Sequence, residues 1–314
     1  MGEMAELYLS TLDKITKDSE NISAETMQID ASTGYIGARY KPANYIIDLE
    51  KFKTSISNER ADVDSIGIAQ SNLAKFMQRL LVGRFESSVN AFKTTLESMI
   101  ESMTSVKDYY SRLERVPIFK KGKLPAVDEL LDDLNDDTLA ELGSYGFESE
   151  LKKQYEKGLV FIPARELHKS FIIHLDHDLE LLQKIHQEWF GAGMPHDPKL
   201  DNFKTEINRQ LKDDPARKIV VFSEYADTAS YIYAMVAQDP NIRAIYYSSA
   251  ESSTVRSIIK ANFDATAHVQ KNDFDIIITT DALSEGINLH RAGTVFNYDI
   301  PYNPTRVIQR VGRI

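Results

Sequence analysis

A parallel α/β sheet preceded by a mostly α-helical region is the fold class that three observations predict. Past residue 198, short β-branched runs alternate with helix-length segments, as in strands buried on both faces of a parallel sheet. Before it, apolar residues recur at spacings of three and four, the period of amphipathic helices. Between the two lies Gly191-Ala-Gly-Met-Pro-His-Asp-Pro198, a stretch of turn-forming residues. The domain reading is therefore 1–198, mostly helical, and 199–314, α/β.

In the first region the clearest helix runs from Ile68 to Met103. Leu73, Phe76, Met77, Leu80, Leu81, Phe85, Val89, Phe92, Leu96 and Met99 form its stripe, and Gly83 marks a kink or a close contact. A second helix spans Ala164–Phe190, with Pro163 at its start and a stripe from Leu167 to Ile185. Shorter helices are expected at Met4–Lys17, Ala43–Phe52, Ala126–Leu134 and Ser149–Lys157, and a loop at Ile118–Pro125. Arg79 and Arg84 are read as ties from the long helix to a neighbouring lobe.

The second region reads helix Lys199–Lys212, strand Lys218–Phe222, helix Ala226–Ala237, strand Ile242–Tyr247 and helix Ser252–Phe263. Strands Ile276–Thr279 and Thr294–Tyr298 follow. Ligands of parallel sheets bind at the carboxyl ends of the strands, so the loops after Phe222, Thr280 and Tyr298 are the places to look.

Composition narrows the function classes. The net charge is −10, but Lys199 onward holds 14 basic and 14 acidic residues, so the first region carries the whole acidic excess. Contact with nucleic acid must then be local and cannot come from the overall field. Cysteine is absent, which excludes disulfides, thiolate chemistry and Cys-ligated zinc and fits a reducing cytoplasm. No apolar run approaches the roughly 20 residues of a membrane span, and the N-terminus lacks the pattern of a signal peptide.

The last forty residues carry the chemistry. A buried strand stops at Thr280-Asp281, a turn ends in Gly286, and a Pro-bounded loop leads into Gln309-Arg310-Val311-Gly312-Arg313. Arg310 and Arg313, three apart, are placed on one helix face. A planar, permanently charged guanidinium suits a phosphate whose charge changes during transfer.

Three segments in order resemble motifs of superfamily 2 helicases and translocases, most of all their bacterial Swi/Snf-like branch. Val220–Tyr225 is similar to motif IV, Thr279–Leu289 to motif V and Gln309–Arg313 to motif VI. Tyr298–Pro304 is similar to the loop between the last two, and Phe76–Lys93 to helical inserts of bacterial members. The resemblance implies that 199–314 is the second RecA-like lobe of an ATP-dependent motor, preceded by a helical insert.

It also implies roles. Arg313 would be the arginine finger on the γ-phosphate, Arg310 its neighbour at the nucleotide, and Gln309 would position phosphates. Glu285, Gly286 and Asn288 would meet the nucleotide, Asn288 at the ribose. Ser223, Thr280 and Asp281 would touch the nucleic-acid backbone, which needs donors more than sequence readout. Lys120 and Lys121, in a basic loop, are further backbone candidates. ATP with Mg2+ would be held mostly by a first lobe upstream in the same polypeptide, since no phosphate loop or Asp-Glu-x-His-like strand end is found. The chain also ends before a further arginine of motif VI, so the lobe reads as incomplete. The isolated chain would neither hydrolyse ATP nor need a cofactor. Its partners would be that lobe and DNA, double-stranded in preference to RNA, with no membrane. The alternatives are a regulatory module derived from a motor lobe and an unrelated nucleotide-binding α/β enzyme.

Other features carry less. His168, His174 and His177 crowd a helix beside Asp176 and Asp178, and are read as its wet face, not as metal ligands. Asp132–Asp137 lacks the glycine and terminal glutamate of a calcium loop. No metal site is expected.

Overall fold

Runs of β-branched residues set the architecture of the C-terminal part. Ile219–Phe222 (β3) and Ile276–Thr279 (β5) are buried along their whole length. With Ala244–Tyr247 (β4) and Thr294–Asn297 (β6) they form one parallel sheet in the order β4-β5-β3-β6. The register pairs Ile219 with Ile276 and with Thr294, and Ala244 with Ile276, so the four strands end level at Phe222, Tyr247, Thr279 and Asn297. In this computed structural model the described residues are 2–17, 22–55, 63–119, 159–248, 252–284, 287–301 and 303–314. Two compact units interleave along the chain: Met1–Val82 with Thr95–Gly191, and Gly83–Thr94 with Ala192–Ile314. The segment 83–94 thus clusters with the sheet.

Alternation along β3 gives the sheet its two cores. Ile219 and Val221 pack with Leu200, Phe203 and Ile207 of one helix (α6, Pro198–Asp213) and Ala229, Ile232 and Val236 of another (α7, Ala226–Val236). Val220 and Phe222 face the other way, onto Ile259 and Phe263 of α8 (Ser253–Phe263) and onto Leu283, Ile287 and Leu289. Each fully buried aliphatic side chain contributes about 1.5–3 kcal/mol, which is why these short strands persist. Asp197 starts α6 by accepting from the Leu200 amide, with Pro198 in the first turn where its missing N–H costs nothing. Asn303 does the same for the last helix (α9, Pro304–Val311), accepting from Thr305 N.

The other unit is mainly helical. It holds Gly2–Thr16 (α1), Leu49–Ser55 (α2), most of Val63–Ser87 (α3) and Val89–Leu113 (α4), and Ser170–Phe190 (α5). Several expectations need correcting. The long helix breaks at Ser88 and runs straight through Gly83, because the Ser88 hydroxyl caps α4 by accepting from Ala91 N. Residues 115–119 are a strand (β1), paired antiparallel with Leu159–Pro163 (β2), although a loop was expected from Ile118, and the helix expected from Ala164 begins at Ser170 after a 3-10 turn, Ala164–Glu166. Pro117 is tolerated because a two-stranded ribbon has only edges. The expected Ala43–Phe52 helix is a 3-10 turn, Pro42–Tyr45, followed by α2. The expected helices Ala126–Leu134 and Ser149–Lys157 lie outside the described residues.

The His/Asp group of α5 is corrected as well. His174 and Asp178 are fully buried and do not face solvent. Asp178 accepts from the backbone amides of Ile36 at 2.7 Å and Ala38 at 2.9 Å. His174 bonds the Tyr45 hydroxyl and the Thr26 carbonyl, both at 2.8 Å. These side chains pin residues 26–45, a segment poor in regular structure, to the helix. Burial raises the Asp178 carboxyl to about 6 against the pull of those two amides, and burial lowers the His174 imidazole. Among the described residues, no group of His, Asp and Glu is placed to hold a metal ion. No described helix is long and apolar enough to cross a membrane.

Candidate functional site

The carboxyl ends of β5, β3 and β6 lie side by side, and the segments leaving them meet at one buried cation. Arg310, on α9, is 0% exposed. Its Nε donates to Asp281 Oδ1 at 2.6 Å and its Nη2 to Asp281 Oδ2 at 3.0 Å, a two-pronged pair. Nη1 donates to Asn297 Oδ1 at 2.8 Å, and the guanidinium lies 5.1 Å from the centroid of the Phe222 ring. Asp281 opens the 3-10 turn Asp281–Ser284 after β5, Asn297 ends β6 and Phe222 ends β3. One side chain thus gathers three strand ends.

A second node sits beside it. Asp299, 7% exposed, accepts from the Ser223 hydroxyl at 2.5 Å and the Glu224 amide at 3.2 Å through one oxygen, and from Lys199 Nζ at 3.1 Å through the other. Lys199 spends its two remaining donors on the carbonyls of Glu86 and Ser87, at 3.0 and 2.8 Å, and lies over the Tyr298 ring. Those carbonyls close α3, where a cation also suits the helix dipole.

The sequence-derived candidates separate on this geometry. Arg310 and Arg313 do not share a helix face: α9 ends at Val311, and Arg313 lies in the turn beyond Gly312. Arg310 is committed to protein partners. Arg313 is half-exposed, and its side chain makes no hydrogen bond or ion pair among the described residues. Its main chain is fixed, because its carbonyl accepts from Leu289 N at 2.7 Å. Asn288, next to that contact, is exposed, and so is Gln309. Ser223 is buried with its hydroxyl turned to Asp299, and Asp281 is occupied by Arg310. Thr280 is half-buried, its hydroxyl oxygen 3.4 Å from the Ala282 amide it accepts from. Glu285, Gly286, Lys120 and Lys121 lie outside the described residues.

Sequence reasoning missed Lys199, Asn297 and Asp299. The only signal was position: Asn297 and Asp299 flank the end of a strand already expected, and Lys199 stands just after the turn-rich boundary. A polar residue at a strand end of a parallel sheet is worth noting on that ground alone.

Residues 199–314 match the family model of the helicase conserved C-terminal domain. Several proteins similar to this chain are named as helicases. The ATP-dependent helicase YqhH of Bacillus subtilis is 31% identical over 97 residues, which cover 31% of this chain and 16% of that protein. The DEAD-box ATP-dependent RNA helicase RhpA of Helicobacter pylori is 28% identical over 107 residues, 34% of this chain and 20% of its own. The ATP-dependent DNA helicase mph1 of Neurospora crassa is 28% identical over 144 residues, 44% of this chain and 12% of its own. The chain thus spans between 12 and 20% of the length of these relatives.

Proposed function

We infer that residues 199–314 serve as the C-terminal motor lobe of an ATP-dependent helicase or translocase that acts on duplex DNA, of the bacterial Swi/Snf-like kind. The observation that carries this reading is the division of labour between two arginines. Arg310 is consumed inside the lobe, whereas the Arg313 guanidinium has no hydrogen-bond or ion-pair partner among the described residues and sits on a main chain pinned to the segment after β5. An arginine held at its backbone and uncommitted at its tip is suited to a phosphate group approaching from another domain.

Phosphoryl transfer to water is the chemistry that ATP with Mg2+ would supply when bound between this lobe and the first RecA-like lobe, which would hold most of it. Arg313 would face the γ-phosphate and stabilise the charge that develops there, a contribution of about 10³–10⁵ in rate for such groups. Gln309 and Asn288, both exposed beside it, would contact the nucleotide. The amides of Ser223, Glu224 and Tyr225 are spent within the lobe, so the half-buried Tyr225 and Thr280 would offer their side-chain hydroxyls to the nucleic-acid backbone, with Ser223 acting through the loop it fixes.

The test is ATP hydrolysis by the full-length protein with and without duplex DNA, in the wild type and in Arg313→Ala. DNA-stimulated turnover that the substitution abolishes, with nucleotide binding intact, is the expected result. Stimulation by RNA alone would transfer the reading to an RNA helicase. Wild-type turnover in Arg313→Ala would remove Arg313 from the mechanism.

A further inference from the structure

The loop after β3 is held from a second side by residues far away in sequence. Arg84, on α3, makes a two-pronged ion pair with Asp227 in the first turn of α7, Nη1 donating to Oδ1 at 2.6 Å and Nη2 to Oδ2. Its guanidinium carbon lies 4.6 Å from the centroid of the Tyr225 ring. Pinned by the carboxylate, the guanidinium holds the ring by a cation–π contact. Gly83 completes the seat: a Cβ there would stand 2.6 Å from the Tyr225 hydroxyl, closer than packing permits. Ser87 and Ser88 both bond Thr228 Oγ1, at 2.8 and 3.0 Å, and all three residues are buried. The Tyr225 phenol is raised above its ordinary range, chiefly by burial and then by Glu224, so it keeps its proton at neutral pH.

Asp299 fixes the front of this loop, Ser223 and Glu224, from the sheet side. Gly83 and Arg84 fix its rear, Tyr225 and Asp227, from the helix side. All of these residues belong to one compact unit. A loop that a fold needs only as a connector does not require anchors at both ends, and residues 223–225 have them at each position.

We propose that Arg84 and Gly83 are positioning residues for the nucleic-acid grip, setting the Tyr225 side chain of the loop Ser223–Tyr225 where its hydroxyl and ring meet a phosphate backbone. This rests on the functional reading above, to which it adds a specific demand on residues outside the helicase-domain segment. Neither residue touches nucleic acid itself in this account.

The experiment uses the 314-residue chain with Arg84→Met, Arg84→Lys and Gly83→Ala. Amide hydrogen exchange over 219–229 is read by mass spectrometry, and affinity for a labelled DNA duplex by anisotropy. Arg84→Met loses both the ion pair and the ring contact. Expected are faster exchange confined to 219–229 and duplex binding weakened about five- to tenfold, the scale of one cation–π contact with its ion pair. Arg84→Lys keeps the charge without the planar fork, so partial recovery is expected. Gly83→Ala is the sharper variant, because alanine favours the helix by about 1 kcal/mol and can harm the loop only through Tyr225. Unchanged exchange at 219–229 in both Arg84→Met and Gly83→Ala overturns the proposal, as does local loosening with unchanged duplex affinity. A wild-type chain that binds neither DNA nor RNA sinks the functional reading instead, and the exchange data still decide whether these residues hold the loop.

Discussion

Arg310 and Asp281 stand 29 positions apart in sequence and meet as a two-pronged ion pair whose cation is wholly buried. The pair ties α9 to the turn after β5. It also decides which of the two terminal arginines is open to a ligand, since a guanidinium already engaged with Asp281, Asn297 and Phe222 has little left to offer.

Substituting the two arginines should therefore give opposite phenotypes. Arg310→Met strips the half-buried Asp281 of its two-pronged partner and leaves Arg306 at 3.4 Å, a loss of about 1.5–3 kcal/mol for a charge-assisted hydrogen-bonded pair. Arg313→Met removes no side-chain hydrogen bond or ion pair among the described residues and should change stability by less than about 0.5 kcal/mol. Urea unfolding of the two variants measures both. Equal loss in the two would mean that Arg310 is not the anchor described.

Asp178 makes a pH prediction. Its folded-state value, about 6, lies above the ordinary 3.8, so the folded protein binds the proton more tightly than the unfolded chain. The associated stability is complete below about pH 4 and is lost as pH rises to 6, on the order of 3 kcal/mol in all. In Asp178→Asn this component should vanish from the pH 4–6 range. The variant should also be less stable, because its NH2 group faces one of the two amides that the carboxylate accepted. Chemical denaturation at half-unit pH steps, wild type minus variant, reads the difference; an identical slope in both would refute it.

Lys218 predicts the converse at alkaline pH. Burial, helped by Arg291, lowers its ammonium to about 8 from 10.5, although Nζ donates to the Phe274 carbonyl at 2.5 Å. The folded state binds the proton less tightly here, so this group's contribution grows as pH rises from 8 to 10.5. Lys218→Met should flatten the stability profile over that range, as followed by thermal unfolding.

The cap of α9 is open to a simpler trial. Asn303→Ala removes the acceptor for Thr305 N and should cost about 1 kcal/mol. Because α9 carries Arg310 and leads into Arg313, the same variant should loosen amide exchange over 304–313. A stable, unchanged helix would show that Arg310 alone fixes it.

Much of the sheet was legible in the sequence. Ile276–Thr279 and Ile219–Phe222 are β-branched or aromatic throughout and fit strands covered on both faces, and their carboxyl ends point to the site. Pairings between distant residues were not legible. Nothing in the neighbourhood of Arg310 announces that it is buried, because Asp281 and Asn297 become its neighbours only when β5 and β6 flank β3. His174 and Asp178 misled for a related reason: polar residues on a helix usually face water, and here a segment of little regular structure turns its amides and a tyrosine toward them. Gly83 gave a true signal, a close approach, while the helix break lay five residues on at Ser88, where a serine both closes one helix and opens the next.

Ser88 carries a further consequence. Its amide closes α3 on the Arg84 carbonyl while its hydroxyl opens α4, so the two helices are phased by a junction one residue long. Deleting or inserting a residue there would rotate all of α4 by about 100° about its axis. Phe92, Leu96, Met99, Met103 and Val106, all buried, would swing outward together. Replacing a side chain at this junction disturbs only its own hydrogen bonds, whereas a change in its length is felt by the whole helix that follows.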